Sequence, residues 1–552
     1  MLLVSKRGNI SSVATKEIAW TIGGSDCGGG AGIQADLKTM TALGVHGCTV
    51  VAALTAQNTL SVSMVEATSP AMLTAQLHSL LTDLPASAVK LGMLYNQATI
   101  NTVADFFTAN PVPFLVTDPV IGSTSGDTLL LDEALSSLKE KILPITHLLT
   151  PNLPEAIKIL GIEAEAIPST DDRIAYDSFI EDLGARLIEL GPKTVLIKGG
   201  HRKGSFSQDY FTDGRTGLWL TSLRRTTTSS HGTGCTLSAA IASAIAKGHG
   251  ILDSLVIAKS YVNQALDHAP HIGHGVGPLG HETWTSEQST LPWLTFSAEE
   301  GRQRLSFKSD GEVGFYPIVD RAAMVQRLVK AGVKTVQLRI KDLSGDDLER
   351  EIREAVKYAR ESRAHLYVND YWEEAIKCGA YGVHLGQADL SGADVAQISA
   401  SGLRLGVSTH CYFEVARALT LRPSYIAIGP VYPTTTKAMP WKPQGLDGLA
   451  HWRRALEFPL VAIGGIFLDN AQGVLATGID GIACVRDLAE NEKLEERVEK
   501  WLRLFERYKR ETHFDKRFDA SVDGGASNAA VMQNVSGTDT ATTLLAVDKP
   551  VS

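Results

Sequence analysis

One cysteine of this chain stands where a glycine-rich turn becomes an apolar helix. In the stretch HGTGCTLSAAIASAIA, residues 231–246, Cys235 directly follows Gly232, Thr233 and Gly234. Free backbone N–H groups and the helix dipole make such a helix start suited to binding an anion. The same helix end is expected to lower the pKa of the thiol from about 8.5 towards neutrality, so that it could polarise an acceptor hydroxyl. The pattern indicates phosphoryl transfer to a hydroxyl; a small residue kept for packing is the alternative.

A second glycine-rich turn, TIGGSDCGGGAGIQADLKT, joins a predicted strand to a predicted helix over residues 21–39. Glycines allow tight turns and let backbone N–H groups approach a ligand closely. A dinucleotide-binding turn is not favoured, because no acidic residue follows a second strand at the required spacing. A loop bent only for packing remains the alternative. Further along, Lys198 has an apolar flank (VLIKGG) and could neutralise a transferring phosphoryl group, although a lone lysine is more often a solvated surface residue.

Two long segments that would position these residues alternate apolar β-branched runs with amphipathic stretches, which is typical of α/β architecture. The second segment contains eight strand–helix units and predicts a (β/α)8 barrel. The stretch between the segments has no sustained period and is predicted to be a linker or a docking segment. The predicted organisation is a flexible N-terminus (1–16), a first α/β domain (17–281), the linker (282–311), the barrel (312–510) and a disordered tail (511–552).

Composition excludes several classes of protein. The 552 residues are 44% hydrophobic and carry 52 basic against 61 acidic side chains, so no broad basic face for nucleic acid or an anionic membrane is implied. Six cysteines without a C-x-x-C pair indicate neither a disulfide framework nor a zinc site. No apolar run approaches the ~20 residues of a membrane span. The first residues could be the remnant of an organelle transit peptide or an ordinary flexible terminus.

Polar side chains follow most of the predicted barrel strands, at the end where barrel enzymes carry their chemistry. Gln337, Arg339 and Lys341 alternate at the end of the second strand, and Asn369 and Asp370 end the third. The later strand ends add His384, Gln387, Asp389, Ser408, Thr434, Thr436, Lys437, Gly464 and Gly465. The cations and the two carboxylates, Asp370 and Asp389, indicate a diphosphate held through Mg²⁺. Individual members of the set could instead be surface pairs or packing turns.

The first domain resembles the hydroxymethylpyrimidine/phosphomethylpyrimidine kinases of thiamine biosynthesis, a family with the ribokinase-like α/β/α sandwich. The resemblance lies in GGSDCGGGAGIQADLKT, TAQNT, KLGML, SGD, LLTPNLPEA, VLIKGGH and HGTGCTLSAA. It implies pyrimidine binding by Gly24, Asp36 and Gln57, ATP and Mg²⁺ binding near Asp118, Asn152 and Glu155, and catalysis by Lys198, Gly232, Gly234 and Cys235. Asp36 alone would fit equally well as a first-turn acid that complements a helix dipole.

The barrel resembles the thiamine-phosphate synthases through QLR, VND, GVHLGQ, GVSTH, GPVYPTTTK and AIGGI. This resemblance implies that Mg²⁺ binds Asp370 and Asp389. It also implies diphosphate and pyrimidine binding by Gln337, Arg339, Lys341, Asn369, Ser408 and Lys437, and thiazole-phosphate binding by Thr434, Thr436 and Gly465. Arg486 stands where many members of the family have serine; arginine can bind phosphate through two hydrogen bonds.

Together the resemblances imply a bifunctional enzyme. It would phosphorylate hydroxymethylpyrimidine and its monophosphate with ATP, then condense the diphosphate with hydroxyethylthiazole phosphate to thiamine phosphate and pyrophosphate. Small-molecule substrates are the expected partners, without nucleic acid or membrane, and a homo-oligomer is left open. The expected location is the plastid stroma for a plant chain and the cytoplasm otherwise. Two alternatives remain: a pyridoxal or pyrimidine kinase fused to another phosphate-binding barrel, and a chain in which one domain only binds ligand.

Overall fold

Two separate β-sheets organise the chain: an open sheet of ten strands and a closed barrel of eight. The computed structural model describes residues 16–122, 129–200, 202, 204–309, 311, 313–434, 441–489 and 493–523. The strands of the open sheet are β1 (Ile18–Asp26), β2 (His46–Gln57), β3 (Val62–Ala67), β4 (Ala88–Leu91), β5 (Leu115–Thr117), β6 (Leu148–Leu149), β7 (Thr194–Ile197), β8 (Phe206–Thr212), β9 (Gly217–Leu223) and β10 (Trp293–Thr295).

The open sheet is parallel in its centre and antiparallel at both edges. Its order is β10-β9-β8-β7-β6-β5-β4-β1-β2-β3. Strand β1 pairs in parallel with β2 and β4, and β2 with β3 and β7 with β8 are antiparallel. The accompanying helices are α1 (Gly32–Ala42), α2 (Pro70–Asp83), α3 (Gln97–Ala109), α4 (Asp132–Ser137), α5 (Leu153–Leu160), α6 (Arg173–Ile188), α7 (Thr233–Ala246), α8 (Ile251–Asp267) and α9 (Ala298–Arg302).

Helices cover both faces of this sheet because its central strands are apolar on both sides. On β1, Ala19 belongs to the core shared with α7 and α8, whereas Trp20 and Ile22 belong to the core shared with α2, α3 and α6. Helix α7 is apolar around most of its circumference and its alanines are fully buried, as expected for a helix enclosed by neighbours. The predicted α/β/α sandwich is confirmed.

The segment predicted as a linker contributes to the open sheet. Strand β10 pairs antiparallel with β9 and forms an edge of the sheet. Trp293, in this strand, is buried and its indole N–H donates to the Gly301 carbonyl at 2.7 Å. A strand of three residues is too short to show a period in the sequence. The tryptophans could therefore indicate that the segment docks, but not that it forms a strand.

The second sheet closes into the predicted (β/α)8 barrel, in which every neighbouring pair of strands is parallel. Its strands are β11 (Gly314–Val319), β12 (Thr335–Leu338), β13 (His365–Asn369), β14 (Gly382–Leu385), β15 (Arg404–Thr409), β16 (Tyr425–Ile428), β17 (Leu460–Ile463) and β18 (Gly481–Cys484). Its helices are α10 (Ala322–Lys330), α11 (Gly345–Glu361), α12 (Trp372–Cys378), α13 (Gln387–Leu390), α14 (Val395–Ala400), α15 (Tyr412–Leu421), α16 (Gly445–Ala455), α17 (Ala471–Leu475), α18 (Arg486–Ala489) and α19 (Leu494–Asp523).

The chain continues as helix past the point where a disordered tail was predicted. Helix α19 ends at Asp523, whereas the tail was predicted to begin at residue 511. A helix that is already nucleated gains one hydrogen bond for each residue added, which the low aromatic content of the tail does not reveal. Residues 524–552 lie outside the described part of the chain, as do residues 1–15 of the predicted flexible N-terminus.

The barrel packs against the open-sheet domain through α15. The carboxylate of Asp253, on α8, accepts the Phe413 backbone N–H at 2.7 Å in the first turn of α15. Thr420 donates to the carbonyl of Leu294, in β10, also at 2.7 Å. Across the same boundary, the rings of Trp284 and Tyr412 lie 5.7 Å apart. Within the described ranges, the structure contains no helix with the length and apolar character that crossing a bilayer requires.

Candidate active sites

A cavity of about 700 Å³ opens at the carboxyl ends of the parallel strands in the open sheet. The loops after β1, β5, β6 and β7 line it, together with the first turn of α7. Ligands of open α/β sheets bind at this edge, because the loops and helix N-termini converge there. Ten site residues were predicted in this domain, and all but Asp36 line this cavity: Gly24, Gln57, Asp118, Asn152, Glu155, Lys198, Gly232, Gly234 and Cys235.

The two glycine-rich turns meet at this cavity. Gly232 begins α7 with φ +84°, a left-handed conformation that favours glycine. A Cβ added at Gly232 would lie 2.0 Å from the carbonyl oxygen of Gly30, in the other turn. The close approach of the two backbones therefore requires glycine at position 232.

A carboxylate that the sequence analysis did not single out organises the first glycine-rich turn. Asp26 accepts hydrogen bonds from the backbone N–H groups of Gly28, Gly30 and Ala31 at 2.8, 3.0 and 2.8 Å. Burial would raise the pKa of Asp26, but its bonds to His231 and to these N–H groups outweigh burial and lower it. These three N–H groups are therefore engaged by the protein itself, which leaves the start of α7 as the more accessible anion-binding turn.

The thiol of Cys235 does not have the lowered pKa that its place at a helix start suggested. Burial raises the pKa of this thiol to about 11, and the nearby charge of Lys90 offsets only part of the effect. The expectation of a nearly neutral pKa is wrong because desolvation of the thiolate outweighs the helix dipole at this position.

Asp36 lies behind the cavity wall. Its side chain is fully buried, and one carboxylate oxygen accepts from Lys90 at 2.7 Å and from Thr21 at 2.5 Å. Asp36 is not among the described residues that line the cavity, whereas Lys90 is. Burial raises the pKa of Asp36 although Lys90 opposes the shift. Asp36, predicted to bind the pyrimidine, is therefore separated from the cavity by Lys90, with which it forms an ion pair. Lys90 belongs to the KLGML motif, but no role was predicted for it.

Lys198 is a partly buried cation beside the first turn of α7, with 13% of its side chain exposed. Its ammonium group lies 2.7 Å from Asp118 and 3.7 Å from Glu155. A Cβ added at Gly234 would lie 3.1 Å from the same nitrogen. Burial alone would lower the pKa of Lys198, but the two carboxylates raise it. The lysine therefore stays charged where the helix start offers its backbone N–H groups to an anion.

Asn152 and Glu155 form a capping box at the start of α5. The Asn152 side chain accepts from the Glu155 N–H at 2.8 Å, and the Glu155 carboxylate accepts from the Asn152 N–H at 2.7 Å. Burial raises the pKa of Glu155, which Lys198 partly opposes. Both residues line the cavity, so capping and ligand binding are compatible at this position.

Gln57 and His231 connect the two glycine-rich turns, near the residues that the resemblance assigns to pyrimidine binding. The amide nitrogen of Gln57 lies 3.2 Å from His231 Nε2, which also lies 3.3 Å from an Asp26 oxygen. Beyond α7 the cavity continues past Lys259, which is paired with Asp209 at 2.7 Å. No local sequence pattern indicates this buried ion pair, because both residues lie in regular elements without a motif.

A second cavity, of about 420 Å³, lies at the carboxyl end of the barrel. The predicted residues Gln337, Arg339, Lys341, Asn369, Asp370, Asp389, Ser408, Thr434 and Gly465 all line it. Arg486, at the start of α18, lines it as well. Thr436 and Lys437 lie outside the described residues.

Two carboxylates and a lysine share one side of the barrel cavity. Asp370 has φ +66°, which is unusual for a residue other than glycine, and it accepts a hydrogen bond from the Lys341 ammonium group at 2.5 Å. Burial and the charge of Asp370 raise the pKa of Asp389. Among the residues described, no group of three or more histidine, cysteine or acidic side chains could hold a metal ion. The donor set is thus two carboxylates, which leaves most positions around a cation to water or ligand oxygens.

Beneath the barrel cavity, five side chains form a chain of hydrogen bonds. Gln337 Nε2 donates to the Tyr316 hydroxyl at 3.1 Å, and Tyr316 lies 2.8 Å from the Tyr425 hydroxyl. His384 connects Tyr425, 2.8 Å from Nδ1, with the Ser408 hydroxyl, 2.8 Å from Nε2. Burial, with a smaller effect of Arg339, lowers the pKa of His384 to about 4. The two tyrosines were missed; their place in barrel strands was the available signal, since a buried tyrosine hydroxyl usually needs a partner.

Comparisons with known proteins match two parts of the chain to two families. Residues 26–280 match the family model of phosphomethylpyrimidine kinase, and residues 315–488 match that of thiamine monophosphate synthase. A protein of Oryza sativa subsp. japonica, named "Probable thiamine biosynthetic bifunctional enzyme, chloroplastic", is 35% identical over 498 residues, which cover 87% of each chain.

Relatives with a single domain match each half separately. The thiamine-phosphate synthase of Neisseria meningitidis serogroup B is 55% identical over 177 residues, covering 32% of this chain and 86% of that protein. The crystal structure of phosphomethylpyrimidine kinase from Clostridium difficile 630 has 37% sequence identity and a TM-score of 0.39, and the match covers 46% of this chain and 100% of that one.

Proposed function

The chain belongs to the family of bifunctional thiamine biosynthetic enzymes, and from that premise we propose that each of its two cavities is one of the two active sites. The open-sheet domain phosphorylates hydroxymethylpyrimidine and its monophosphate with ATP. The barrel joins the resulting diphosphate to hydroxyethylthiazole phosphate and releases pyrophosphate. The observation that carries the assignment is that each cavity gathers cations and carboxylates from distant parts of the chain at the carboxyl ends of parallel strands.

In the kinase cavity the start of α7 and Lys198 bind the transferring phosphoryl group. The acceptor hydroxyl oxygen forms a bond to the terminal phosphorus of ATP while the bond to the ADP oxygen breaks. Backbone N–H groups at Gly232 and Gly234 and the ammonium group of Lys198 stabilise the charge that develops. The proton of the hydroxyl passes to Cys235, which must itself be deprotonated first because burial raises its pKa.

Gly24 and Gln57 hold the pyrimidine in this proposal. An amide side chain can donate to a ring nitrogen and accept from an exocyclic amine. Asp36 acts indirectly, because its carboxylate holds the Lys90 ammonium group at the cavity wall. Asp118, Asn152 and Glu155 provide oxygen atoms near the phosphates of ATP, where oxygen ligands suit Mg²⁺.

In the barrel, the residues present fit a magnesium ion as well as a diphosphate. Asp370 and Asp389 are adjacent carboxylates. Burial and the charge of Asp370 raise the pKa of Asp389, and a cation would relieve the repulsion between the two. Bound there, Mg²⁺ would supply positive charge that stabilises the leaving diphosphate. Arg339, Lys341 and Asn369 bind the diphosphate oxygens through their N–H groups.

The coupling reaction exchanges a bond to oxygen for a bond to nitrogen. The bond between the pyrimidine methylene carbon and the diphosphate oxygen breaks, and its electron pair leaves with pyrophosphate. The thiazole nitrogen then donates its lone pair to the same carbon. Ser408 contacts the pyrimidine; Thr434, Thr436, Gly465 and Arg486 bind the thiazole phosphate, and Lys437 binds the diphosphate.

A coupled assay on the full chain tests both halves at once. Hydroxymethylpyrimidine, thiazole phosphate and ATP with Mg²⁺ are expected to yield thiamine phosphate, detected by mass, and pyridoxal in place of the pyrimidine is expected to yield less phosphorylated product. If product forms only when the pyrimidine diphosphate is supplied, the kinase assignment is wrong. If neither mixture gives product, the synthase assignment is wrong as well. Treatment with EDTA is expected to abolish both activities, and added Mg²⁺ to restore them.

A further inference from the structure

The hydrogen-bond chain beneath the barrel cavity has a direction that its donors and acceptors fix. An amide nitrogen can only donate, so the Tyr316 oxygen accepts from Gln337. Among the described residues, the other partner of the Tyr316 hydroxyl is the Tyr425 oxygen, so the Tyr316 hydrogen goes there. The Tyr425 hydrogen is then left for His384 Nδ1. Each hydroxyl thus accepts on one side and donates on the other.

This direction determines the tautomer of His384. Because Nδ1 accepts from Tyr425, it carries no proton, and the imidazole proton lies on Nε2. Nε2 lies 2.8 Å from the Ser408 oxygen and therefore donates to it. The hydrogen of the Ser408 hydroxyl has no further partner among the described residues, and Ser408 lines the cavity.

We propose that Tyr316, Tyr425 and His384 form a one-way relay that fixes the Ser408 hydroxyl as a hydrogen-bond donor to an acceptor atom of the ligand. This inference rests on the proposed function, and the chemistry it selects is an unprotonated ring nitrogen of the pyrimidine. The three residues are positioning residues, since they act through Ser408. No proton is transferred along the relay. Its hydrogen bonds only determine which atom of each pair donates and which accepts.

The burial of the relay explains why its polarity is stable. Tyr316 and Tyr425 are each 1% exposed and His384 is 6% exposed. Reversing the chain would require the Gln337 amide to turn and all four links to reverse together, since a single reversed link would leave a buried donor facing a donor. A ligand that offers a donor to Ser408 would meet the same conflict.

The first test is the tautomer of His384 in the full-length chain with ¹⁵N-labelled histidine. The His384 resonances are assigned by their loss in His384→Gln. We expect the neutral form with the proton on Nε2, and we expect its shifts to change in Tyr425→Phe. A proton on Nδ1 would overturn the relay. This measurement needs no turnover, so it decides the relay even if the wild-type chain fails to make thiamine phosphate, which would overturn the proposed function alone.

The second test is kinetic. Tyr425→Phe is expected to raise KM for the pyrimidine diphosphate about tenfold, the loss of one hydrogen bond to a desolvated polar group, and to leave KM for the thiazole phosphate unchanged. Tyr412→Phe is the matched control, because its hydroxyl lies 2.7 Å from His451 Nε2 elsewhere in the barrel. Kinase activity of each variant checks that the chain has folded.

Two further arms test whether the tyrosine acts through the serine. Tyr425→Phe in a Ser408→Ala background is expected to add no further change, and additive effects would contradict the relay. Analogues in which each pyrimidine ring nitrogen in turn is replaced by C–H should include one that wild type rejects about tenfold. That preference is expected to disappear in Ser408→Ala. Equal use of every analogue by wild type would overturn the donor assignment.

Discussion

At the scale of single residues, Cys235 shows how burial can outweigh a favourable helix end. The helix start favours a thiolate, but the surrounding protein removes water from it, and the pKa rises to about 11. Below that pH, the thiolate fraction rises about tenfold for each pH unit. The acceptor-activating role and the raised pKa can be tested together.

We expect Cys235→Ala to lower the kinase kcat by about 10²-fold or more, with KM for ATP little changed, because general base catalysis contributes on this scale. In wild type, kcat should rise from pH 7 to pH 9 as the thiolate becomes more populated. Steady-state kinetics across this range measure both. Full activity of the alanine variant would show that Cys235 only fills space in the packing of the helix start. A flat pH profile of kcat would show that Cys235 is not the base.

The raised pKa also predicts slow alkylation of this thiol. Iodoacetamide reacts with thiolates, so Cys235 is expected to be modified more slowly than Cys27, which is exposed in the same domain. Peptide mass spectrometry after timed labelling at pH 8 measures both cysteines in one sample. Faster labelling of Cys235 would show that its pKa is lowered after all.

The paired carboxylates of the barrel give a prediction of the same kind. Asp370→Asn is expected to reduce synthase turnover by more than about tenfold, because it removes a charge that a cation and Lys341 both need. Kinase activity should be unchanged, since the two cavities share no described lining residue. Asp320→Asn is the control, as Asp320 is exposed at the end of another barrel strand. Equal loss of both activities would contradict independent sites.

At the scale of elements, the start of α7 depends on a glycine that touches the other glycine-rich turn. Gly232→Ala places a Cβ 2.0 Å from the Gly30 carbonyl and a side chain at φ +84°. The backbone strain alone costs about 1–2 kcal/mol. We expect a lower Tm and loss of kinase activity, because the displaced turn belongs to the cavity.

The same helix offers a matched control at its other end. Gly248 has φ +85°, but nothing lies within 4 Å of a Cβ added there. Gly248→Ala should therefore lower the Tm by the strain alone and retain kinase activity. If both variants lose activity equally, general destabilisation and not the meeting of the two turns explains the effect.

At the scale of the whole molecule, one domain caps a helix of the other. The N-cap residue of α15 is Cys411, whose side chain makes no capping bond, and Asp253 of the kinase domain accepts the Phe413 N–H instead. Helix α15 also contacts β10, so the kinase domain and the segment before the barrel both support it. We therefore expect the stability of the barrel to depend on the domain that precedes it.

We expect Asp253→Ala to destabilise the full chain by about 0.5–2 kcal/mol, the usual cost of losing a helix cap. Thermal inactivation of the synthase should begin at a lower temperature in this variant. Asp253→Asn keeps an acceptor oxygen and is expected to recover much of the loss, and Asp105→Ala on α3 should have no effect because Asp105 is exposed. An unchanged inactivation curve for Asp253→Ala would show that the bond across the domain boundary is not needed.

The sequence by itself determined the two architectures and most of the residues that line the two cavities. Strand and helix periods are local, and the glycine-rich turns and polar strand ends are read along the chain. Parallel strands bring their carboxyl ends to one edge, so positions as distant as Gly24 and Lys198 could be assigned to one site without knowing their separation.

Only the tertiary structure decided burial and pairing, because these depend on what other elements place around a side chain. It sets Asp36 behind Lys90, raises the pKa of Cys235 and connects Ser408 to Tyr425 through His384. It also adds β10 to the kinase sheet and gives α15 its cap from Asp253. Desolvation and partners distant in the chain leave no local pattern in the sequence.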